Sequence, residues 1–343
     1  MRHALTFALL ATLAGFSLPA HAATPQPSQF KVIRRLKLGG TGGWDYLRFD
    51  AKHRHLFVSR GDRVLVVDVE HNNKVIGTLV GTEGVHGIAL AQDLNRGFTS
   101  NGQSDSVTMF DLNTLKPVAT IAGTGKDPDA IVYDPSSHHV FTFNGRSNSA
   151  SVIDPASRSV VATIPLPGKP EFAAADGHGH IFDNIESKSE LVEIDTASDK
   201  VIHTWPLAPC KSPSGLALDV AHSRVFSVCD NGVMAVTSAR DGRHVATVAI
   251  GKGPDAVRFD PGLQTVFSSN GDSGTLTAVH EDSPDRYTVT ATIPTQVSAR
   301  TQALDPLKHR IYLSSAILSN QRNAHGWRIP VPGSFTLLVV GAH

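Results

Sequence analysis

The chain has 343 residues, of which 41 % are hydrophobic, enough apolar surface for a large folded core. It contains 31 basic and 31 acidic residues, so its formal net charge is zero when histidine is neutral. This balance argues against bulk binding to a polyanion as the main activity, while a local basic patch stays open.

The first residues, MRHALTFALLATLAGFSLPAHA, have the pattern of an export signal. A short positive start is followed by an apolar run that is too short for a membrane span, and then by an A-x-A cleavage sequence. No later stretch is long and apolar enough to cross a bilayer. We therefore expect a signal peptide over residues 1–22, cleavage after Ala22, and a mature chain of residues 23–343 that is periplasmic or secreted.

A sequence unit recurs along the mature chain. GKDPDAIVYDPSSHHVFTFNG, which starts at Gly125, returns as GKGPDAVRFDPGLQTVFSSNG at Gly251. Alignment on this phrase gives seven equivalent positions, 41 to 45 residues apart: Asp45, His86, Asp129, Glu171, Ser214, Asp255 and Arg300. Each unit holds four short runs rich in Val, Ile, Thr and Phe between turn residues, which is typical of strands. The pattern predicts an all-β, seven-bladed β-propeller of four-stranded antiparallel blades.

The two ends of the chain are predicted to share a blade. The seventh unit provides only three strand-like runs before the chain ends. The missing run is KVIRRLKLG, from Lys31, which parallels KVIGTLVG, from Lys74. We expect residues 30–39 to complete blade seven and to remove the open edge of the ring.

The unit P-x-G/A-x-x-x-D, V-F-x-x-N-G, S-V-x-V-I-D, V-V-A-T-I resembles the YVTN-type repeat of YncE-like exported propellers, over nearly the whole mature chain. Its consensus segment is degenerate here, reading VFTFNG at Val140 and VFSSNG at Val266. The resemblance implies a propeller that binds a ligand, and single-stranded nucleic acid is a partner implied by it alone. Related seven-bladed propellers include lactonases, antibiotic-ring lyases, and metal- or haem-containing reductases.

The seven equivalent positions start the innermost strands, so we expect them to ring the mouth of the central channel. We name this side the top face. Carboxylates from several blades suit Ca²⁺ or Mg²⁺, and Asp129, Glu171 and Asp255 are the candidate ligands. If the protein is an enzyme, His86 is the candidate general base. The competing interpretation is that each aspartate only ties down its own backbone in an Asx turn.

Aromatic and basic residues are predicted to meet on the same face. GGTGGWDY presents Trp44 beside Asp45, and the long loop of residues 317–333 presents Trp327 and Arg328. Together with Arg300 they suit stacking on a ligand or anchoring of a partner. The alternative is that Trp327 only fills the wedge between blades seven and one.

Other patterns favour structural roles. We interpret Asn101, Asn144 and Asn270 as turn residues, and the histidines of the opposite face, such as His178, His180 and His222, as solvated. Four lysines form an outer basic arc on the top face: Lys126, Lys169, Lys211 and Lys252. Cys210 and Cys229 map to adjacent strand ends on one face, which makes a disulfide plausible, with two separate thiols as the alternative.

The sequence contains no G-x-S-x-G, H-E-x-x-H or P-loop motif. We therefore favour a monomeric, non-enzymatic exported propeller that binds a small ligand or a protein on its top face. The expected binding residues are Trp44, Asp45, His86, Arg300, Trp327 and Arg328. The alternative is a metal-dependent lactonase- or lyase-like enzyme with a divalent cation at the channel mouth.

Overall fold

The computed structural model describes Met1 and residues 26–71, 74–323, 326 and 328–342. Beyond Met1, the predicted signal peptide of residues 1–22 lies outside the described residues, and so does Trp327. No helix in the described part of the chain is long and apolar enough to span a bilayer.

The described residues form seven four-stranded antiparallel sheets, as predicted. Blades one to three consist of consecutive strands: β2 Leu47–Asp50, β3 His55–Ser59, β4 Val64–Asp68, β5 Lys74–Leu79; β6 Val85–Ala91, β7 Arg96–Asn101, β8 Ser106–Asp111, β9 Pro117–Ala122; β10 Pro128–Asp134, β11 His139–Asn144, β12 Ser149–Asp154, β13 Ser159–Pro165. Blades four to six follow in the same way: β14 Pro170–Ala175, β15 His180–Ile185, β16 Glu190–Asp195, β17 Lys200–Pro206; β18 Pro213–Asp219, β19 Arg224–Cys229, β20 Val233–Ser238, β21 His244–Ala249; β22 Pro254–Asp260, β23 Thr265–Asn270, β24 Thr275–Ser283, β25 Arg286–Pro294. Short 3₁₀ turns lie at Pro27–Gln29 and Glu186–Lys188.

Blade seven joins the two ends of the chain, which confirms the predicted closure. Its strands are β26 Thr301–Asp305, β27 Arg310–Ser315, β30 Thr336–Gly341 and β1 Lys31–Lys37. They pair in the order β1-β30-β27-β26, with Lys31 opposite Gly341 and Lys37 opposite Thr336. The long loop of this blade contains a short hairpin, in which β28 Leu318–Arg322 pairs with β29 Arg328–Pro330.

The first strands of the blades line the channel. Each contacts the first strand of the next blade, and β26 contacts β2 to close the ring. The core lies between blades, so a middle strand such as β12 is buried along five of its six residues, whereas the outer strand β13 alternates between exposed and covered residues. A middle strand is covered on both faces by adjacent blades, which explains its continuous apolar run.

Buried asparagines hold the turns between second and third strands. Asn144 has no exposed surface, and its Nδ2 donates to Ser149 Oγ at 3.1 Å and Ser151 Oγ at 3.0 Å. Thr142 Oγ1 donates to Asn144 Oδ1 at 3.2 Å. Asn101 and Asn270 make the same set of bonds in their own blades. These side chains are thus satisfied within the turn, in line with the structural interpretation.

Cys210 and Cys229 form a disulfide, with their Cα atoms 5.5 Å apart. It links the loop that enters blade five to the top end of β19, and both residues are buried. The bond therefore fixes the entry of blade five to its own second strand.

Candidate functional site

The seven equivalent residues meet at the top of the channel because each lies at the start of a first strand. In five blades the residue is the second of its strand, as Asp129 is in β10. Preceding blades hold the backbone here: Ser100 Oγ donates to the Asp129 carbonyl, and Asn184 Nδ2 donates to the Ser214 carbonyl at 2.9 Å. The ring is thus positioned by bonds between blades rather than by each blade alone.

One side of the ring is a histidine among three carboxylates. His86 Nδ1 lies 2.7 Å from Asp45 Oδ2 and 3.9 Å from Asp129 Oδ1, and its Nε2 lies 3.7 Å from Asp127 Oδ1. Burial lowers the pKa of His86, but Asp129, Asp127 and Asp45 outweigh it and raise that pKa to about 11. His86 is therefore a cation at neutral pH, held mainly by Asp45.

The opposite side of the ring is an ion pair. Arg300 Nη1 donates to Asp255 Oδ2, its Nη2 lies 3.8 Å from Asp45 Oδ1, and Ser214 Oγ donates to Asp255 Oδ1 at 2.9 Å. Ser214 and Arg300, which interrupt the run of acids in the sequence, are thus the partners of Asp255. Its carboxylate is satisfied without an added ligand.

In blade four, the ring residue Glu171 forms an ion pair with a lysine. Lys169 Nζ lies 2.6 Å from both Glu171 Oε1 and Glu186 Oε2. Burial and the charge of Asp129 still raise the pKa of Glu171 well above its ordinary value. Lys169, which we placed in an outer basic arc, therefore reaches the mouth and pairs there.

Asp129 differs from the other acids of the ring. Among the described residues, no side chain hydrogen-bonds to its carboxylate, and its side chain is 20 % exposed at the channel wall. Burial raises the pKa of Asp129 to about 6, against the opposing charge of His86. This is the carboxylate of the mouth with unused acceptor capacity.

Tyr46 forms the floor of the mouth. It starts in blade one, but its ring stacks on Phe172 of blade four, with centroids 4.3 Å apart, so it spans the channel. Its hydroxyl is buried without a hydrogen-bond partner. Burial and then the charges of Asp129, Glu171, Asp45 and Asp255 raise the pKa of Tyr46 well above its ordinary value. Tyr46 directly follows Asp45 in the sequence, and nothing in the repeat predicts that its ring crosses to blade four.

The predicted aromatic and arginine group is only partly described. Trp44 is half-buried and packs against Phe335 in the wedge between blades one and seven, with ring centroids 5.7 Å apart. Arg328 is exposed and donates to the carbonyls of Ser319 and Leu318 at 2.8 and 2.7 Å, within the hairpin. Trp327 lies outside the described residues.

Arg60 organises the glycine-rich loop that carries Trp44. Its buried guanidinium donates to the carbonyls of Gly39, Thr41, Gly42 and Gly43 at 2.7–3.2 Å, and it lies 3.8 Å from the Phe335 ring. In the repeat, Arg60 lies at the turn position that is an asparagine in blades two, three and six. An arginine at this position is the feature of the sequence that indicates a different role in blade one.

Comparison with known proteins supports the fold. No sequence-family model matches the chain, and no curated protein matches it. A structure of Kuenenia stuttgartiensis hydrazine synthase is similar, with a TM-score of 0.68 at 18 % identity, over 80 % of this chain and 92 % of that chain. The structure of U3-55K matches with a TM-score of 0.75 at 12 % identity, over 92 % and 99 % of the two chains. The WD40 repeats of RRP9 match with a TM-score of 0.76 at 12 % identity, over 93 % and 99 %. At these identities the likeness establishes the propeller fold alone.

Proposed function

We propose that the protein is an exported, YncE-like binding propeller whose top mouth holds a small, positively charged ligand. The observation that carries this proposal is the carboxylate of Asp129, which lies at the mouth without a hydrogen bond and 3.9 Å from the nearest cationic nitrogen, His86 Nδ1. Export is supported by the signal-like pattern of residues 1–22.

The charge balance of the mouth supports a cation. Asp45, Asp127, Asp129, Glu171 and Asp255 converge there, against His86, Arg300, Lys169 and Arg146, whose Nε lies 3.2 Å from Asp127 Oδ2. Burial raises the pKa of Asp129, so its ionised form would be stabilised by added positive charge nearby. A bound cation would supply that charge, and the same excess of acids disfavours a phosphate backbone as the ligand at this site.

A divalent metal ion is the simplest small, positively charged ligand. Asp45, His86 and Asp129 each offer a ligand atom, and these atoms lie within 4.8 Å of one another. A metal ion bound there would displace the proton of His86, because only the neutral imidazole can be a ligand. Carboxylate oxygens suit Ca²⁺ and Mg²⁺. Glu171 and Asp255, which we expected beside Asp129 as ligands, already pair with Lys169 and Arg300, so the candidate set moves to Asp45, His86 and Asp129.

Thermal unfolding and calorimetric titration test the proposal, with CaCl₂, MgCl₂ and putrescine as separate probes. At about 100 times its dissociation constant, a bound probe should stabilise the fold by about 2.7 kcal/mol. Asp129→Asn should abolish that gain, because it keeps the shape of the side chain and removes the charge. Asp68→Asn is the matched control, since Asp68 pairs with His71 at 2.8 Å on the opposite face. Binding that survives Asp129→Asn, or the failure of all three probes to bind, would refute the proposal.

A further inference from the structure

The face opposite the mouth contains a second convergence of ligand-type side chains. Asp219 at the end of β18, His222 in the following turn and Glu281 in β24 each offer a ligand atom, and these atoms lie within 4.8 Å of one another. His222 Nδ1 is 2.6 Å from Asp219 Oδ2 and 3.4 Å from Glu281 Oε1. The cluster joins blades five and six.

Both acids of this cluster are buried. Asp219 is 4 % exposed and Glu281 is 1 % exposed. Glu281 Oε1 accepts a bond from the Tyr287 hydroxyl at 3.1 Å, whereas no described residue donates a hydrogen bond to the buried Glu281 Oε2. Two carboxylates this close require positive charge or a proton between them.

The repeat provides an internal reference for this site. The backbone N–H of Glu281 donates to the turn of its blade, as the N–H of Val69, Leu112, Thr196 and Ala239 does in theirs. At this position blade four presents Thr196, whose hydroxyl donates to the buried Asp134 of blade three at 2.9 Å. Blade six presents an acid to the corresponding Asp219. Where blade four has a hydrogen-bond donor, Thr196, blade six thus has a carboxylate, Glu281, which is the third potential metal ligand of the cluster.

The neighbouring arginine does not neutralise the acids. Arg224 donates to the carbonyls of Pro284, His222 and Ser223 and to Asp285 Oδ1, at 2.7–3.1 Å. It makes no described hydrogen bond to Asp219 or Glu281. His222 is the one described basic group that contacts both acids, and it carries at most one positive charge against two carboxylates.

We propose that Asp219, His222 and Glu281 form a binding site for a divalent transition-metal ion of the Zn²⁺ type. One imidazole and two carboxylates are a donor set that Zn²⁺ accepts, with three protein ligands and a fourth position for water or another ligand. Ligands about 2.1 Å from a tetrahedral ion lie roughly 3.4 Å apart, so small side-chain shifts bring the present atoms into place. His222 is 36 % exposed, which leaves the site open to solvent.

Zinc titration of the metal-stripped full chain tests this site, with a competing chromophoric chelator to measure affinity. Glu281→Thr copies the residue of blade four and should weaken Zn²⁺ binding more than about 100-fold. His222→Ala should cause a similar loss, and it changes a partly exposed residue, so a folding failure is not expected. His53→Ala is the matched control, because His53 Nδ1 lies 2.8 Å from Asp50 Oδ2 in the same register of blade one, without a third acid.

The proposal requires that His53→Ala and the mouth variant Asp129→Asn keep wild-type affinity for Zn²⁺. Mn²⁺ serves as a second probe and should bind at the same residues more weakly. Equal Zn²⁺ affinity in the wild type, Glu281→Thr and His222→Ala would overturn the proposal. So would a wild-type chain that binds no Zn²⁺ while Glu281→Thr is simply more stable, because the acids would then share only a proton.

Discussion

Asp183 is a buried carboxyl group in the second strand of blade four, where other blades have a hydroxyl group. Its position in the second strand is filled by Thr99, Thr142 and Ser268 in blades two, three and six, whose hydroxyls donate to the turn asparagine. Asp183 is fully buried, and no side chain of the described residues donates a hydrogen bond to its carboxylate. Burial and the charge of Glu171 raise the pKa of Asp183 well above its ordinary value. The folded state therefore favours its protonated form.

Asp183→Asn should stabilise the protein at pH 8. An acid with a raised pKa in the folded state contributes most below pH 3.8, its ordinary value, and loses that contribution as the pH rises through the folded pKa. The asparagine of the variant does not ionise, so its contribution does not fall as the pH rises. The free energy of unfolding of the variant should therefore exceed that of the wild type at pH 8 by an amount on the order of 1 kcal/mol.

Urea unfolding at pH 4 and pH 8 measures the difference, which should shrink toward the acid end. Asp62→Asn, at an exposed position, controls for the loss of one carboxylate. A variant that is less stable than the wild type at pH 8 would mean that Asp183 is ionised and satisfied in the fold.

The turn between second and third strands has the same buried asparagine in blades two, three and six. Asn101, Asn144 and Asn270 are each buried and satisfied by their own turn. Such local, periodic bonds are readable from sequence, and the same holds for the blades and the closing strand. Contacts across the channel are not local. The crossing of Tyr46 from blade one to Phe172 of blade four joins blades that are not neighbours, and no single repeat encodes it. The meeting of Asp219 with Glu281 joins the adjacent blades five and six, and it too depends on two different repeats.

Asn144→Ala should therefore destabilise the fold by about 1–3 kcal/mol, because it leaves buried hydroxyls in the turn without their partner. Asn113→Ala is the control, since Asn113 is exposed in a turn of the opposite face and only its backbone N–H is bonded there. Urea unfolding of the two variants gives the comparison. Equal stability of the two would show that water replaces the asparagine in the turn.

Charge is separated along the channel of the whole molecule. The carboxylates of the mouth lie above Tyr46, and Arg48 and Arg258 follow further along β2 and β22. Burial and the nearby Arg48 lower the pKa of Arg258 to about 10, so the lower channel is short of negative charge. This distribution of charge is the basis of the proposed cationic ligand, and it depends on a closed ring.

Closure by β1 is what holds the ring together, so removal of residues 26–39 should open it. The truncated chain would expose the edge of β30 and the ring of Phe267, on which Phe30 stacks at 5.6 Å. Lost burial of Phe30 and the partly buried Leu36 is worth about 3–5 kcal/mol, which for a chain of this length corresponds to a melting temperature lower by roughly 5–8 °C.

An unpaired edge also recruits other strands, so we expect oligomers of the truncated chain in light scattering. A chain that starts at Ala23 is the control, and a synthetic peptide of residues 26–39 should restore the monomer and its melting temperature. The experiment with the peptide distinguishes the loss of the closing strand from misfolding of the truncated chain. The peptide can restore the monomer only if the rest of the ring is correctly folded. A truncated chain that stays monomeric with an unchanged melting temperature would show that six complete blades and three strands already form a stable ring.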